Sequence, residues 1–559
     1  MSLYDKSSLV LIPSGTKTGK VYSQVPVSGD GDFNFTRSSA ATRVNADGNI
    51  EKEKSNLLTH SNTFSSWTPA NATTTSGQSG YDGTNDAWLL AKAASAGNIQ
   101  LNVSSSGVNT FSYYAKAGSV DWTRLLILGS TNASTYINLT NGAIGIGGGG
   151  FIDATATDVG SGWWRVSITH STAITQVRIY PAPADNDTSG SSGNIYIQDA
   201  QLNQGLIAQE VITTTTTAVE GGITDNVPRL DYTDSSCPAL LLEPQRTNLI
   251  VNSEYFSASG VWLPNTITIT DNYGTSPEGL DNSTRLVLGN LTASRIAYAP
   301  TLTNGTTYTF SCYYKGTAGE KLYMEGNGSG GSGTQTSKLI TLTGEWQRED
   351  LQFVGGSSSN LIYIVDSRNG TEDTALDFEV YGAQLEAGSY PTSYIPTYGS
   401  SVTRVGETCL DSSATDVIGQ TEGTLFFECT NKALVANARY FSLSDGTGNN
   451  RIDIYHHTSD RIGIYVATSG AAQVNVTNVD LPASGSFKFA LGYANNDYVW
   501  YVNGTQVGTD TSASVPSCSH TLLGTSSDGS VAAGNNPFKQ ALLFKTRLSN
   551  QELIDLTTL

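Results

Sequence analysis

The stretch "NLLTHSNTFSSW", Asn56 to Trp67, returns 192 residues later as "NLIVNSEYFSASGVW", Asn248 to Trp262. A repeat at that distance lies far outside the roughly 20–50-residue period of solenoids and propellers, so it marks two copies of a whole module. Three further landmarks recur in the same order. "FSYYAKAG" (Phe111–Gly118) is answered by "FSCYYKGTAG" (Phe310–Gly319), and "GSGWWRVSIT" (Gly160–Thr169) by "TGEWQREDLQF" (Thr343–Phe353). "IYIQDAQLNQG" (Ile195–Gly205) is answered by "FEVYGAQLEAG" (Phe378–Gly388).

Within each copy the alternation is that of strands. In "NIYIQDAQL", Ile195 and Ile197 point to one face while Tyr196 and Gln198 point to the other. Long amphipathic helices are missing from the pattern, and Gly, Ser, Thr and Asn are abundant, as in short strands joined by tight turns. The fold class is therefore all-β, with multi-domain antiparallel β-sandwiches: two jelly-roll repeats and a third sandwich at the C-terminus.

The boundaries read from the sequence are 1–54 for a leading segment, 55–205 for module 1 and 206–247 for a connector. Module 2 takes 248–397, a linker 398–416, and the C-terminal domain 417–559. In that last domain "DYVWYVNGTQVG" predicts a hairpin turning on Asn503-Gly504, and Ser549 or Asn550 caps a short terminal helix.

The formal net charge of −19 repels phosphate backbones, which argues against a nucleic-acid partner. No apolar run is long enough to insert in a membrane, and the N-terminus has no secretory signal pattern. Five scattered cysteines read as reduced, mostly buried small hydrophobes. "SGTKTGKV" has the wrong glycine spacing for a phosphate loop, and "GIGGGGF" lacks a following helix, so it reads as a plain loop. No Glu-x-Asp occurs to build a glycosidase strand pair, and His456 and His457, adjacent on a strand, face opposite sides. The sequence gives no positive support for catalysis, so the expectation is a non-enzyme.

Aromatic rings stack on the C–H faces of pyranoses, so the tryptophans are the candidate carbohydrate-binding residues, above all Trp67, Trp163 and Trp262. Their alternative role is core packing. Trp164 and Trp346 read as equivalent core anchors of the two copies, which leaves Trp163 facing outward. In "SLSDGTGNNRIDIY", Asp445, Asn449, Asn450 and Asp453 gather oxygens of the kind calcium takes, though the same residues also make ordinary turns.

"EGTLFFE", "RYFSLSDGTGNNRIDIYH", "FKFALGYANNDYVWYVNGTQVG" and "ALLFKTRLSNQELIDL" resemble, in order, the laminin-G-like, concanavalin-A-like lectin domains. Domains of that family often bind calcium at a sandwich rim. The opening "LIPSGTKTGKVYSQVPVSGDGDFNFTRSSAATRVNADGNIE" resembles the N-terminus of phage virion proteins. In those it continues directly into a stretch like "VPRLDYTDSSCPALLLEPQRTNLI", which here waits until Val227, so module 1 is inserted between two halves of a leader. The repeats resemble carbohydrate-binding jelly rolls of virion appendages. The resemblance implies a virion location, an N-terminal segment that attaches to other virion proteins, a host surface glycan as ligand, and a homotrimer. Tail fibre is the first reading; a head fibre or capsid decoration protein and a polysaccharide depolymerase are the alternatives.

Overall fold

The computed structural model describes residues 3–289, 294–327, 335–366, 376–432, 435–458, 461–481, 485–531 and 533–559. Its regular secondary structure is almost entirely antiparallel sheet. Module 1 is a two-sheet sandwich. One sheet runs Phe151–Gly160, Trp163–His170, Asn109–Ala117, Gly193–Gln204, Ala87–Lys92, Ala72–Gln78; the other runs Gly148–Gly149, Ala133–Asn138, Trp122–Gly129, Ile174–Ala182, Asn98–Ser105, Thr68–Ala70. Alternate residues of these strands, among them Phe111, Ile127, Val166, Ile168, Val177 and Ile197, fill the space between the sheets.

Module 2 repeats that order. Its first sheet runs Gln347–Val354, Thr307–Gly316, Asp377–Ala387, Thr284–Leu288, Ile267–Thr270, and its second Gln335–Thr341, Lys321–Asn327, Leu361–Asp366, Arg295–Tyr298, Trp262–Asn265. Among the described residues only Phe151–Gly160 and Gly148–Gly149 have no counterpart there. The shared order establishes the duplication in three dimensions.

Each module closes on an asparagine at its first residue. The Asn56 side chain donates to Ala200 O and Ile212 O and accepts from the amides of Leu58 and Leu202. The Asn248 side chain donates to Ala383 O and Ile395 O and accepts from Ile250 and Leu385. Both N–H donors and both lone pairs of the amide group are engaged in a buried place, which is why the "NL" opening recurs. Ser61 with Thr214 and Ser253 with Thr397 form a second matched pair of latches.

The third sandwich differs from the boundaries read in the sequence. Its core contains Leu9, Leu11, Val21, Phe33 and Phe35 from the leading segment and Leu240 and Leu242 from the connector, alongside Phe427, Phe441, Phe489 and Trp500. The strand Leu9–Leu11 pairs with Phe538–Phe544, and Phe33–Thr36 pairs with Thr408–Asp411. Residues 3–54 are therefore not a separate domain, because burial of their apolar strand faces joins them to this basal sandwich. Both modules are insertions in it. The incoming strand Lys54–Asn56 pairs with the outgoing Val219–Gly221, and Arg246–Asn248 pairs with Val402–Arg404, so each module stands on a two-stranded neck. The first repeat splits the leader as the sequence indicated; the second splits the basal sandwich again.

Two buried charge networks brace the region around the necks, one within the base and one between the leading segment and module 2. Glu407 accepts from Arg37 (2.8 Å) and Arg229 (2.7 Å), and Glu243 accepts from Arg229 (2.7 Å) and Arg404 (2.7 Å). These five side chains are buried and come from four distant stretches of chain. Burial would raise the Glu407 pKa, but Arg229 and its neighbours outweigh it and hold the carboxyl below its ordinary value. In the second network Lys52 sits between Glu254 (3.1 Å) and Glu278 (2.8 Å). Burial would lower the Lys52 pKa; the two carboxylates outweigh it and hold the ammonium well above its ordinary value.

The hairpin turns on Asn503 (φ 48°) and Gly504 (φ 79°) as its sequence predicts, and Ser549 caps the terminal helix Asn550–Thr557 in a capping box with Glu552. No helix among the described residues is long and apolar enough to cross a membrane.

Candidate carbohydrate-binding cleft

The three tryptophans proposed as sugar platforms are interior residues. Trp67 and Trp262 are each 2% exposed. Their indole N–H groups donate to His60 O (3.1 Å) and Asn252 O (3.0 Å), and their rings pack on Phe64 and Phe256. They are matched core staples where each module begins, which corrects their assignment. Trp163 is 1% exposed, although it does face away from the sandwich core. The outer face of its sheet is covered: Tyr81 lies edge-on to Trp163 and stacks flat on Tyr114, and Val211 packs beside them. Alternation was read correctly, but the covering loop is distant in sequence.

Strand register also corrects which tryptophans correspond. Trp163 pairs with Lys116, and Arg165 with Tyr114. In module 2, Arg348 pairs with Tyr313, and Lys315 Nζ sits over the Trp346 ring at 5.9 Å. Trp346 is thus the counterpart of Trp163, and Trp164, half-buried against the module 1 core, matches Gln347. The recurring signal in the sequence is Trp-x-Arg, present as Trp163–Arg165 and Trp346–Arg348.

Trp346 is not core. It is half-buried on the wall of a cleft of about 590 Å³, within the roughly 300–1,000 Å³ usual for ligand pockets. Tyr313 and Arg348 of module 2 share that wall. The turn Arg43–Ile50, the segment Asp231–Thr233, the loop Pro391–Tyr394, and Lys432 and Asn535 of the basal sandwich form the rest. The ring is fixed by its N–H, which donates to Thr275 O at 2.9 Å. Arg348 lies over Tyr313 at 5.4 Å and donates to Thr392 O (2.7 Å) and Ser311 Oγ (3.0 Å), and its Nε is buried without a partner. The facing turn is held by Asn45, whose side chain accepts from the amides of Asp47 and Asn49, and by Gly48 at φ 83°. Asp231 braces the wall by accepting from the amides of Val44 and Thr233. The other two cations are neutralised, Arg43 by Glu51 and Lys432 by Asp234. A fixed indole face, a planar guanidinium and flanking hydroxyl and amide groups are the parts that recognise a sugar ring. A smaller cleft of about 230 Å³ lies at the necks beside Tyr398 and Glu53 and has no tryptophan.

Most of the oxygens proposed for calcium have partners within the chain. Asp445 accepts from Thr447 N (2.8 Å), Thr447 Oγ1 (2.7 Å) and Asn450 Nδ2 (2.8 Å), and Asn450 Oδ1 accepts from Ser469 N (2.9 Å). Asp453 is buried and pairs with Arg451 at 2.9 Å, so a cation already faces it. Asn449 is exposed at the loop tip. Among the described residues no three His, Cys, Asp or Glu side chains gather as metal ligands. "SGTKTGKV" forms the hairpin Thr16–Lys17 with Lys20–Val21, and no helix follows it to hold a phosphate.

No protein-family profile matches the sequence, and no curated protein does. Among solved structures, the carbohydrate-binding module CBM40 of the Ruminococcus gnavus IT-sialidase, bound to α2,3-sialyllactose, is similar at 21% identity with a TM-score of 0.23. The match covers 26% of this chain and 87% of that one. The NanB sialidase of Streptococcus pneumoniae (16% identity, TM-score 0.23) and the leech intramolecular trans-sialidase (22%, 0.23) match over 26% of this chain and 25% and 24% of theirs.

Proposed function

We propose that this chain is a non-catalytic carbohydrate-binding protein of a phage virion, an adhesin that recognises host surface glycans through the Trp346 cleft. The observation that carries the reading is the half-exposed Trp346, fixed beside Tyr313 and Arg348 in a cleft of about 590 Å³. Trp163, its counterpart in module 1, is covered. The virion part rests on the likeness of the opening segment and of the repeats to phage appendage proteins, with a tail fibre as the first location. Assembly as a homotrimer would multiply weak sites into avid attachment.

The test is an array of bacterial surface glycans probed with the wild-type chain and with Trp346→Ala. The variant should keep its fold, losing about 1–2 kcal/mol because the ring is only half-buried, while array binding falls at least about tenfold. A variant that binds undiminished removes the cleft from consideration. Release of reducing sugar from a bound polysaccharide would replace the adhesin with a depolymerase, and labelling of intact particles at the head would replace the tail location.

A further inference from the structure

The outer faces of the two modules carry the same side chains in the same register: Tyr114 and Tyr313, Trp163 and Trp346, Arg165 and Arg348. Even the guanidinium contacts match. Arg165 lies over Tyr114 and donates to Gln209 O, as Arg348 lies over Tyr313 and donates to Thr392 O. One face is open and the other is closed. In module 1 the Tyr81 ring lies flat on Tyr114, 3.6 Å away at 9°, with its edge toward Trp163. In module 2 Tyr381 is the ring near Tyr313, tilted 58° at 6.3 Å, and the corresponding loop turns its own Tyr273 outward against Arg285.

A parallel six-membered ring at van der Waals distance is also how a pyranose meets an aromatic platform. Tyr81 is only half-buried, and the loop that carries it, Asp82 to Asp86, is exposed. Apart from the ring stacking, its ties are polar side-chain hydrogen bonds: Tyr81 N donates to Gln198 Oε1 (3.1 Å) and Tyr81 Oη to Asp199 (3.2 Å), Gln198 Nε2 donates to Asp86 (2.7 Å) and Asp82 (3.3 Å), and Asn62 Nδ2 donates to Asp86 (3.0 Å). Position 198 is Tyr381 in module 2, which cannot make the same ties.

We infer that the outer face of module 1 is a second saccharide-binding site, occupied in this structure by the chain's own Tyr81, which a sugar ring displaces when the loop swings out. The inference rests on the saccharide reading of the Trp346 cleft. Binding at module 1 is then weaker than at module 2 by the fraction of time the loop is open.

The probe is the same bacterial glycan array, applied to the full chain. Trp346→Ala alone should be close to blank. Adding Tyr81→Ala should raise the residual signal at least about tenfold at the same glycans, with a rise in acrylamide-quenchable indole fluorescence as Trp163 is uncovered. Tyr81→Phe keeps the stacked ring, so Trp346→Ala with Tyr81→Phe should stay blank. A Trp346→Ala/Tyr81→Ala chain that folds and stays blank overturns the module 1 site, as does a Tyr81→Phe chain that binds as well as Tyr81→Ala. A wild-type chain blank on the array refutes the saccharide reading itself, a different failure.

Discussion

Replacing Glu407 by Gln keeps the shape of the side chain and removes one buried charge. Glu407 uses all its acceptor capacity: one oxygen takes Arg37 Nη1 and Arg229 Nε, the other takes Arg229 Nη2 and the amide of Glu243. A glutamine must turn its NH₂ toward one of those pairs, so donors face donors. Two hydrogen bonds are lost, and of the two carboxylates that pair directly with the three guanidinium groups only Glu243 remains. Breaking a buried pair in this way costs about 4 kcal/mol, which converts to a roughly thousand-fold larger open population. The protein carries its own reporters. Cys409, Cys429 and Cys518 lie in the basal core, Cys312 lies in the module 2 core, and Cys237 is exposed. Burial holds the Cys409 thiol far above its ordinary pKa and pushes Cys312 up to about 12, so neither reacts while folded. In a thiol-labelling time course under native conditions, Glu407→Gln should accelerate Cys409 and Cys429 by about a thousandfold, leave Cys237 unchanged, and move Cys312 far less. Acceleration of Cys409 by less than about tenfold would refute the view that this network holds the base together.

Deleting residues 1–45 removes Leu9, Leu11, Val21, Phe33 and Phe35 from the basal core, a loss of about 10 kcal/mol of burial, comparable to the whole stability of a domain. Calorimetry should then show no cooperative transition for the base; a truncated chain that keeps one would contradict the assigned pairing. Glu53 gives a pH signature. Burial, with Glu220 and Asp225 facing it, raises its pKa from 4.5 to about 7, so the folded state holds a proton that the unfolded chain releases. Its contribution to stability is full below pH 4.5 and lost as the pH rises to about 7. Glu53→Gln should therefore melt above the wild type at pH 8 and level with it near pH 4, and parallel melting curves across that range would count against the assignment.

The duplication was legible because its landmarks are positions where backbone geometry tolerates little change. Asn56 and Asn248 each satisfy four buried backbone groups, and Trp67 and Trp262 staple the same corner of each core. Local turn chemistry was legible too, at Asn503-Gly504 and Ser549. What escaped depends on contacts across long separations. Leu9 pairs with Leu543 and Phe35 with Cys409, and no local periodicity announces a partner hundreds of residues away. The cleft escaped for the same reason, since its walls come from stretches of chain spread from Thr42 to Asn535. The choice between Trp163 and Trp346 turned on which outward face a remote loop covers. Aligning the copies on Trp-x-Arg, rather than on the doubled tryptophan, would have matched them correctly and singled out Arg348.

A module whose first and last strands lie side by side is an exchangeable cassette. Asn56 pairs directly with Val219, and Asn248 with Val402, so each pair of ends is about 5 Å apart. A two-residue turn closes a gap of that width. Replacing 57–218 with such a turn would leave Lys54–Asn56 joined to Val219–Gly221 as an ordinary hairpin, and the strands of the base would run on undisturbed. Recombination between related genes at the neck codons would therefore swap one module for another, or add a further copy, without reopening the folding problem of the part that carries it. A lineage built this way can replace a whole module in a single event.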